Sequence, residues 1–392
     1  MNFEELGLTP EMLKAINSIG LKKPTLIQER SIPHVIRGKD IVGESATGSG
    51  KTFAFGTGII EKTEKGKGLQ ALVLVPTREL AEQVKEALKQ LAYYKRLSII
   101  AVYGGVSIDN QINLLQNAEV VIATPGRLLD HISRSTINLA NVKILVLDEA
   151  DRMLDMGFVD DVEKIIKECP KSRQTMFFSA TISSGIKNLI EKHMKNPVRI
   201  SAAKMVDPKK LKQVYYDVER NMKLSLLVHL LKQSSGLKMI FCNSRNAVDF
   251  VSKSIKANNI KAIAIHGGHT QSKRNKTIEM FNDSKTDILV CTDVAARGLD
   301  IEGVEIVYNY DIPKDPKDYV HRIGRTARAG KEGMVINLLC PEDHSSFARI
   351  LSEYREFSIE KRKRPYVERI RRTHTQKKPL NKRPWRRRPY RV

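Results

Sequence analysis

Ser45-Ala46-Thr47-Gly48-Ser49-Gly50-Lys51-Thr52 decides how the chain is read. It follows a short apolar run, Ile41-Val42-Gly43, and precedes helix-compatible residues from Phe53 onward. Strand, glycine loop and helix in that order is the setting of a phosphate-binding loop. Gly48 and Gly50 let the backbone curl until several N–H groups face one anion, and the positive end of the helix dipole adds to them. Lys51 then reaches the β- and γ-phosphates of a nucleotide, and the Thr52 hydroxyl holds Mg²⁺. Ser45 stands where the general loop has its first glycine. Taken alone, the octet leaves a flexible glycine-rich turn as the alternative.

About a hundred residues on, Lys143-Ile144-Leu145-Val146-Leu147 reads as a buried strand of a parallel sheet. It ends in Asp148-Glu149-Ala150-Asp151, and the carboxyl end of such a strand is where open α/β sheets bind ligands. Asp148 is placed to hold Mg²⁺, directly or through water, and Glu149 to orient or deprotonate a water. An isolated Asp-Glu-x-Asp is usually a solvated loop. Behind a strand, with the phosphate loop upstream, it reads as part of a nucleotide site.

The segments around these motifs alternate. Ala71–Val75, Ile99–Tyr103, Val120–Ala123, Lys143–Leu147 and Thr175–Phe178 read as strands, with helices such as Arg78–Leu91 between them. That pattern argues for βαβ units and a parallel sheet. Several strands end in small or polar turns: Pro76-Thr77-Arg78-Glu79-Leu80-Ala81, Gly104-Gly105 and Thr124-Pro125-Gly126-Arg127. Backbone N–H groups, hydroxyls and arginines at one sheet edge suit a sugar-phosphate backbone without reading bases. Each turn taken singly is as well explained as a helix cap. Around 201–212 the periodicity breaks, and a second alternation starts near Gln213 with strands at Lys238–Asn243, Lys261–His266, Asp287–Thr292, Glu305–Tyr310 and Met334–Leu338. The second unit has no phosphate loop. It does carry His321-Arg322-Ile323-Gly324-Arg325-Thr326-Ala327-Arg328, whose three arginines are poor core material. They read as charge presented to a triphosphate bound by the other domain, against a solvated basic helix.

Composition bounds the partners. The net charge is +23, and residues 361–392 hold fifteen Lys or Arg against one acid, Glu368, so they carry +14 of it. Such an excess favours a polyanion. Trp385 and Tyr390 lie among Arg386-Arg387-Arg388 and prolines, a composition that cannot bury a core but can hold nucleic acid by attraction and stacking. A solubilising tail is the alternative. Cys169, Cys242, Cys291 and Cys340 are far apart, which argues against zinc and disulfides and fits a reducing compartment. No basic-then-apolar leader is visible at Met1, and no apolar run approaches the ~20 residues of a membrane span.

With these motifs in order, the chain resembles the DEAD-box ATP-dependent RNA helicases of superfamily 2 from about Phe3 to Leu351. The resemblance implies α/β architecture: two tandem RecA-like doubly wound parallel-sheet domains with ATP, Mg²⁺ and RNA clamped between them. It identifies residues 1–30 as an adenine-recognition segment, with Gln28 facing the adenine edge and Phe3 stacking on the ring. Taken singly, Phe3 is a core anchor and Gln28 a helix-surface residue. Domain bounds follow at 31–202 and 213–360, with a linker at 203–212 and a disordered RNA-binding tail at 361–392. By resemblance Ser45 through Thr52, Asp148, Glu149, Asp300, Arg325 and Arg328 bind ATP. Lys51, Glu149 and the two arginine fingers serve catalysis. Pro76, Thr77, Arg78, Gly104, Gly105, Thr124, Pro125, Gly126 and Arg127 of the first domain contact RNA, as do Arg245, Gly268, Gln271, Arg274 and Thr292 of the second. Ser179, Ala180, Thr181 and His321 couple the two sites. The family usually has Gly where this chain has Ala327.

The function expected is local unwinding or remodelling of short RNA duplexes or RNA–protein complexes in the cytoplasm. RNA is held largely without regard to sequence, and ribosomal or RNA-decay complexes are the assemblies in view, between which the sequence does not choose. Two rivals stay open to test. A DNA translocase of the same superfamily is opposed by the Asp-Glu-Ala-Asp quartet and the Phe3/Gln28 segment. A non-enzymatic RNA clamp is opposed by intact Lys51, Glu149, Arg325 and Arg328.

Overall fold

The computed structural model describes the chain except residues 46–47, 203–210, 297–300, 302, 328–331 and 371–392, and except the side chain at 271. The first sheet is built from β1 (Ile41–Glu44), β2 (Ala71–Leu74), β3 (Ile99–Val102), β4 (Val120–Ala123), β5 (Ile144–Leu147), β6 (Gln174–Ser179) and β7 (Val198–Ser201). Its order is β3-β4-β2-β5-β6-β1-β7, parallel throughout. The second contains β8 (Leu211–Asp217), β9 (Leu237–Phe241), β10 (Ile263–Ile265), β11 (Ile288–Cys291), β12 (Val304–Asn309), β13 (Gly333–Leu339) and β14 (Ile359–Lys361). Its order is β10-β11-β9-β12-β13-β8-β14, again parallel. Counted from its own first strand, the second sheet repeats the order of the first.

The central strands are apolar on both faces because helices cover both sides. β2, β4 and β5 are buried at every residue. Alternate side chains enter opposite cores: Ile144 and Val146 join one cluster, Leu145 and Leu147 the other. Ile288 and Val290 are likewise divided from Leu289 and Cys291 in the second domain. The helix after the second strand of each sheet starts on a hydroxyl cap. The Thr77 side chain accepts from Leu80 N at 3.3 Å, and that of Ser244 from Ala247 N at 3.1 Å. Each bond satisfies a donor that the first helical turn leaves open.

The strand order sorts the motifs. The phosphate loop, Asp148 and Ser179 leave the ends of β1, β5 and β6, which are neighbours in the order β5-β6-β1. The turns at Pro76, Gly104 and Thr124 follow β2, β3 and β4, neighbours in the other half. In the second domain Arg245, Gly268 and Thr292 follow β9, β10 and β11 in the same half.

Two expected boundaries are corrected. β8 begins at Leu211, so the linker expected over 203–212 loses its last two residues to the sheet, and the second domain starts before 213. The second domain also runs past 360. β14 pairs with β8, Arg362 N donates to Tyr215 O at 2.9 Å, Val367 is buried in the core, and Ile370 N donates to Ser225 Oγ at 3.1 Å. β7 and β14 escape a reading of the sequence because they are short edge strands whose exposed residues, such as Arg199 and Glu360, hide the apolar pattern. The rest of the expected tail lies outside the described residues. Among the described residues no helix is long and apolar enough to cross a membrane.

Candidate active site between the two domains

The phosphate loop is braced before any ligand arrives. Ser45 N donates to Ser179 O at 3.0 Å, and Ser49 Oγ to Ser45 Oγ at 3.0 Å. Gly48 and Gly50 have φ of 77° and 90°, the left-handed region that favours glycine. A Cβ on Gly50 would also lie 2.4 Å from Gln28 Nε2. Lys51 is buried, its Nζ 3.2 Å from Ser45 O and 3.9 Å from Asp148 Oδ1. Thr52 follows it in the first turn of the helix Lys51–Lys62, whose N-terminus faces the loop. Ala46 and Thr47 lie outside the described residues.

Gln28 holds the loop from the segment expected to recognise adenine. Its Nε2 donates to Gly50 O at 3.1 Å and its Oε1 accepts from Thr25 N at 2.9 Å, while Thr25 Oγ1 donates to Ser49 O at 2.7 Å. One proton and one lone pair of the amide remain for a ligand. Phe3 packs in the core beside Leu6 and Met12 with 4% of its surface exposed, the anchoring position.

Asp148 and Glu149 are both buried. Burial raises the Asp148 carboxyl above its ordinary range against the pull of Lys51, and Asp148 Oδ1 accepts from Glu149 N at 2.9 Å. Burial pushes Glu149 to about 7; Asp148 and Asp151 add to the rise, while Lys51 and Arg325 oppose it. Glu149 has φ 51°, a strained position for a side chain of its size and one often found at active sites. Asp151 ties this segment to the end of β6. Thr181 N and Oγ1 donate to Asp151 Oδ2 at 3.0 and 3.2 Å, Asp151 N donates to Ser179 Oγ at 3.2 Å, and Ser179 Oγ donates to Thr181 O at 2.7 Å. Ala180 is the intervening link of this ring.

The second domain faces these carboxylates. Arg325 is 3% exposed and close enough to Glu149 to lower its pKa. His321 is held below its usual pKa by burial, opposed first by Asp151 across the cleft. Among the described residues its Nδ1 has no hydrogen-bond partner. Arg152 and Asp155 of the first domain feel Asp293 and Lys317 of the second. The expectation that the arginine octet is poor core material is corrected at Arg322. That guanidinium is 1% exposed and fully engaged. It donates to Asp293 Oδ1 and Oδ2 at 2.6 and 2.7 Å, to Asn243 Oδ1 at 2.7 Å, to Asn309 Oδ1 at 3.1 Å and to Asp311 O. Buried arginine is stable here because every donor on its fork has a partner. Ala327 has φ 54°, which explains why glycine is usual there. Asp300 and Arg328 lie outside the described residues.

At the other half of the sheets the turns form a second surface. The Arg78 guanidinium lies over Gly105, where a Cβ would meet Nη1 at 2.1 Å, and Gly105 has φ 85°. Thr124, Pro125 and Gly126 open the helix Pro125–Ser133, and Arg127 Nη1 donates to Val106 O at 3.1 Å. Arg245 packs on the turn at Gly267, Gly268 N donates to His266 Nδ1 at 3.1 Å, and the Thr292 carbonyl accepts from Ala295 N and Ala296 N. Arg274 is placed otherwise than as a bare phosphate contact: its Nη1 meets Glu79 Oε1 of the first domain at 2.9 Å. Gln271 shares its helix, Gln271–Asn282.

Asp249, His266 and His269 bring three ligand atoms within 4.8 Å of one another. Gly268 N occupies His266 Nδ1, and Lys273 Nζ lies 3.2 Å from His269 Nε2. The His266 ring proton is therefore assigned to Nε2, which faces the cluster and donates to Asp249 Oδ1 at 3.2 Å. That inward N–H suits the carboxylate and opposes a cation.

Glu79, Asp293, Gln111 and His131 are not found by reading the sequence. They are single polar residues inside amphipathic helices or after strands, and only their partners mark them.

Comparison with known proteins agrees with this geometry. Residues 25–189 match the DEAD/DEAH box helicase family and residues 222–330 the helicase conserved C-terminal domain. The chain is 47% identical to the ATP-dependent RNA helicase CshA of Listeria monocytogenes over 90% of its own length and 68% of that protein's. It is 41% identical to the DEAD-box ATP-dependent RNA helicase CshA of Bacillus subtilis over 94% of this chain and 75% of that one. Among solved structures, S. cerevisiae Dbp5 bound to RNA and ADP BeF3 superposes with a TM-score of 0.83 at 30% identity, covering 92% of this chain and 95% of that one. Two like-ordered sheets, a phosphate loop on the first, an arginine facing it from the second and this degree of identity have one explanation: the chain belongs to the DEAD-box ATP-dependent RNA helicases.

Proposed function

We propose that the protein hydrolyses ATP in the interdomain cleft and uses closure of that cleft to separate short RNA duplexes or remodel RNA–protein complexes. The observation that carries this reading is the approach of Arg325 to Glu149 from the opposite domain, beside Lys51. Lys51 and the loop N–H groups would hold the β- and γ-phosphates, Gln28 the adenine edge, and Arg325 the charge that develops on the γ-phosphate. Glu149, with a pKa near 7, is matched to taking a proton from the attacking water. The Thr52 hydroxyl and the Asp148 carboxylate are hard oxygen donors that fit Mg²⁺, and a buried carboxylate pushed up by desolvation favours a cation beside it. When bound, Mg²⁺ neutralises phosphate charge and orients the chain.

On the other half of the sheets, the turns at Thr77–Arg78, Gly104–Gly105 and Thr124–Arg127, with Arg245, Gly268 and Thr292, would track an RNA backbone without reading bases. The ring Asp151–Ser179–Thr181, faced by His321, lies where nucleotide state would pass to that surface. All four cysteines are free and buried, in keeping with the cytoplasmic location we assign. We extend the proposal to RNA in ribosomal or RNA-decay assemblies, which a survey of RNAs crosslinked in cells tests.

The deciding experiment measures phosphate release by wild type and Lys51→Ala with no nucleic acid, with poly-RNA and with poly-DNA. Stimulation by RNA alone, abolished in the variant, is expected. Equal stimulation by DNA would favour a DNA translocase, and RNA binding without turnover a passive clamp.

A further inference from the structure

Gln111 is 4% exposed and His131 fully buried, yet both are polar and neither belongs to a motif. Gln111 lies on the helix Ile108–Leu115, and Arg127 and His131 lie one turn apart on the helix Pro125–Ser133. Gln111 Nε2 donates to Tyr103 O at 3.0 Å, and Gln111 Oε1 accepts from Arg127 Nη1 at 3.0 Å. A carbonyl can only accept and a guanidinium only donate, so these two partners fix the amide from both ends. His131 Nε2 lies 3.0 Å from the same Oε1 and must therefore donate to it. Burial and the neighbouring Arg127 lower the His131 pKa and keep the ring neutral, so its single proton sits on Nε2. His131 Nδ1 is left as the acceptor facing Thr136 Oγ1 at 2.8 Å, a hydroxyl whose single proton is shared with His131 O at 3.1 Å.

The chain of donors has a mechanical result. Arg127 Nη1 also donates to Val106 O. The turn Gly104–Gly105 is thus gripped on its near side through Tyr103 O and Gln111, and on its far side through Val106 O and Arg127. Arg127 is itself held at Gln111 Oε1, which the histidine shares. Asp130, 3.7 Å from Arg127 Nε, adds a carboxylate on the opposite side and bonds Arg134 as well.

We infer that Gln111 and His131 are positioning residues that lock the Gly104–Gly105 turn and the Thr124–Arg127 turn into one rigid RNA-binding surface. The inference rests on the proposed reading of those two turns as RNA contacts. Arg127 contributes by fixing the register of the neighbouring turn, and the phosphate-facing backbone of both turns is preorganised before RNA arrives. Preorganisation lowers the concentration of RNA needed without touching the chemical step.

The test uses the full chain and a single-stranded RNA of fixed length. His131→Leu keeps volume and removes the donor, His131→Gln keeps a donor, and Gln111→Met removes the amide. We expect His131→Leu and Gln111→Met to raise half-saturating RNA about threefold to tenfold, the scale of one broken hydrogen bond. Turnover at saturating RNA and half-saturating ATP should stay within about twofold, and His131→Gln should return RNA half-saturation toward wild type. A merely structural role would lower the melting temperature, turnover and ATP affinity together, with no rescue by His131→Gln, and would overturn the inference. Unchanged RNA half-saturation in Gln111→Met and His131→Leu would overturn it too. Should His131→Leu melt below the assay temperature, Gln111→Met and Thr136→Val decide by the same criteria. Arg127→Ala separates the two levels. If it weakens RNA binding while the others do not, the relay fails and the RNA-surface reading stands. If it leaves binding unchanged, the RNA-surface reading fails as well.

Discussion

Arg274 Nη1 and Glu79 Oε1 lie 2.9 Å apart although their side chains come from different domains. Both are largely buried in this arrangement. Separating the domains breaks the pair, which makes it a marker of the closed arrangement. Arg274→Glu should place two carboxylates together and lower RNA-stimulated turnover at least about tenfold. The exchanged double variant Glu79→Arg with Arg274→Glu should recover a large part of it. Turnover and RNA affinity measured across the four-member cycle report the coupling, and a strictly additive cycle would show that the pair carries none.

As the proposed base, Glu149 should set a pH limb. It must be ionised to take a proton, so single-turnover hydrolysis should rise with pH through about 7 and level off above it. The stability effect has the opposite sign. The folded state holds the proton up to about 7 against an ordinary 4.5, so stability from this group is lost as pH rises through that window. Glu149→Gln should abolish turnover, retain ATP-dependent RNA binding, and melt higher than wild type at pH 8 but not at pH 4. Equal melting curves at pH 8 would contradict the burial argument.

Arg325→Ala should leave ATP affinity nearly intact and lower turnover steeply, since such fingers contribute on the order of 10³–10⁵ in rate. Fragment 1–202 should likewise bind ATP and fail to reach RNA-stimulated rates. Fluorescence titration paired with single-turnover hydrolysis checks both. A fragment as fast as the whole chain would remove the interdomain site.

Deleting residues 371–392 removes ten Lys or Arg and no acid. The cut belongs there and not at 361, because Val367 and Ile370 are docked on the second domain. RNA binding should weaken with a shallower salt dependence, by roughly 0.7 in slope for each phosphate no longer neutralised. RNA-stimulated turnover should persist. An unchanged slope would make the segment a solubiliser.

Ala327→Gly should stabilise the second domain, because the left-handed backbone at φ 54° costs a residue with a Cβ about 1 kcal/mol or more. Part of the gain is offset by the extra freedom of glycine when unfolded. A rise of about 2 °C in the second domain's melting temperature is expected, and a fall would mean that the methyl's packing outweighs the strain.

Much of this is legible in the chain because its central strands have one chemistry on both faces. Val120–Ala123 and Arg78–Leu91 are read to the residue. The motifs on the ATP side are legible for a related reason, since a glycine loop or paired carboxylates behind a buried strand have few other uses. The edge strands β7 and β14 are illegible because half or more of each faces solvent. Arg322 shows a different limit. Arginine beside glycine reads as surface, and only the convergence of Asp293, Asn243, Asn309 and Asp311 makes burial tolerable. Those acceptors lie on three separate segments, so no local pattern announces them. Glu79 and Arg274 are hidden likewise, being on different domains.

On the proposed reading, the matched order of the two sheets puts one RNA-facing half on each domain and a phosphate loop on only one. Both ligands would then select the same domain pairing, the one in which Arg325 lies near Glu149 and Arg274 meets Glu79. Thermodynamic linkage then forbids a one-way effect. By whatever factor bound ATP tightens the hold on RNA, bound RNA must tighten the hold on ATP by the same factor. Once phosphate leaves, that shared bonus is withdrawn from both ligands together, so release of the strand is written into the same equilibrium that captured it.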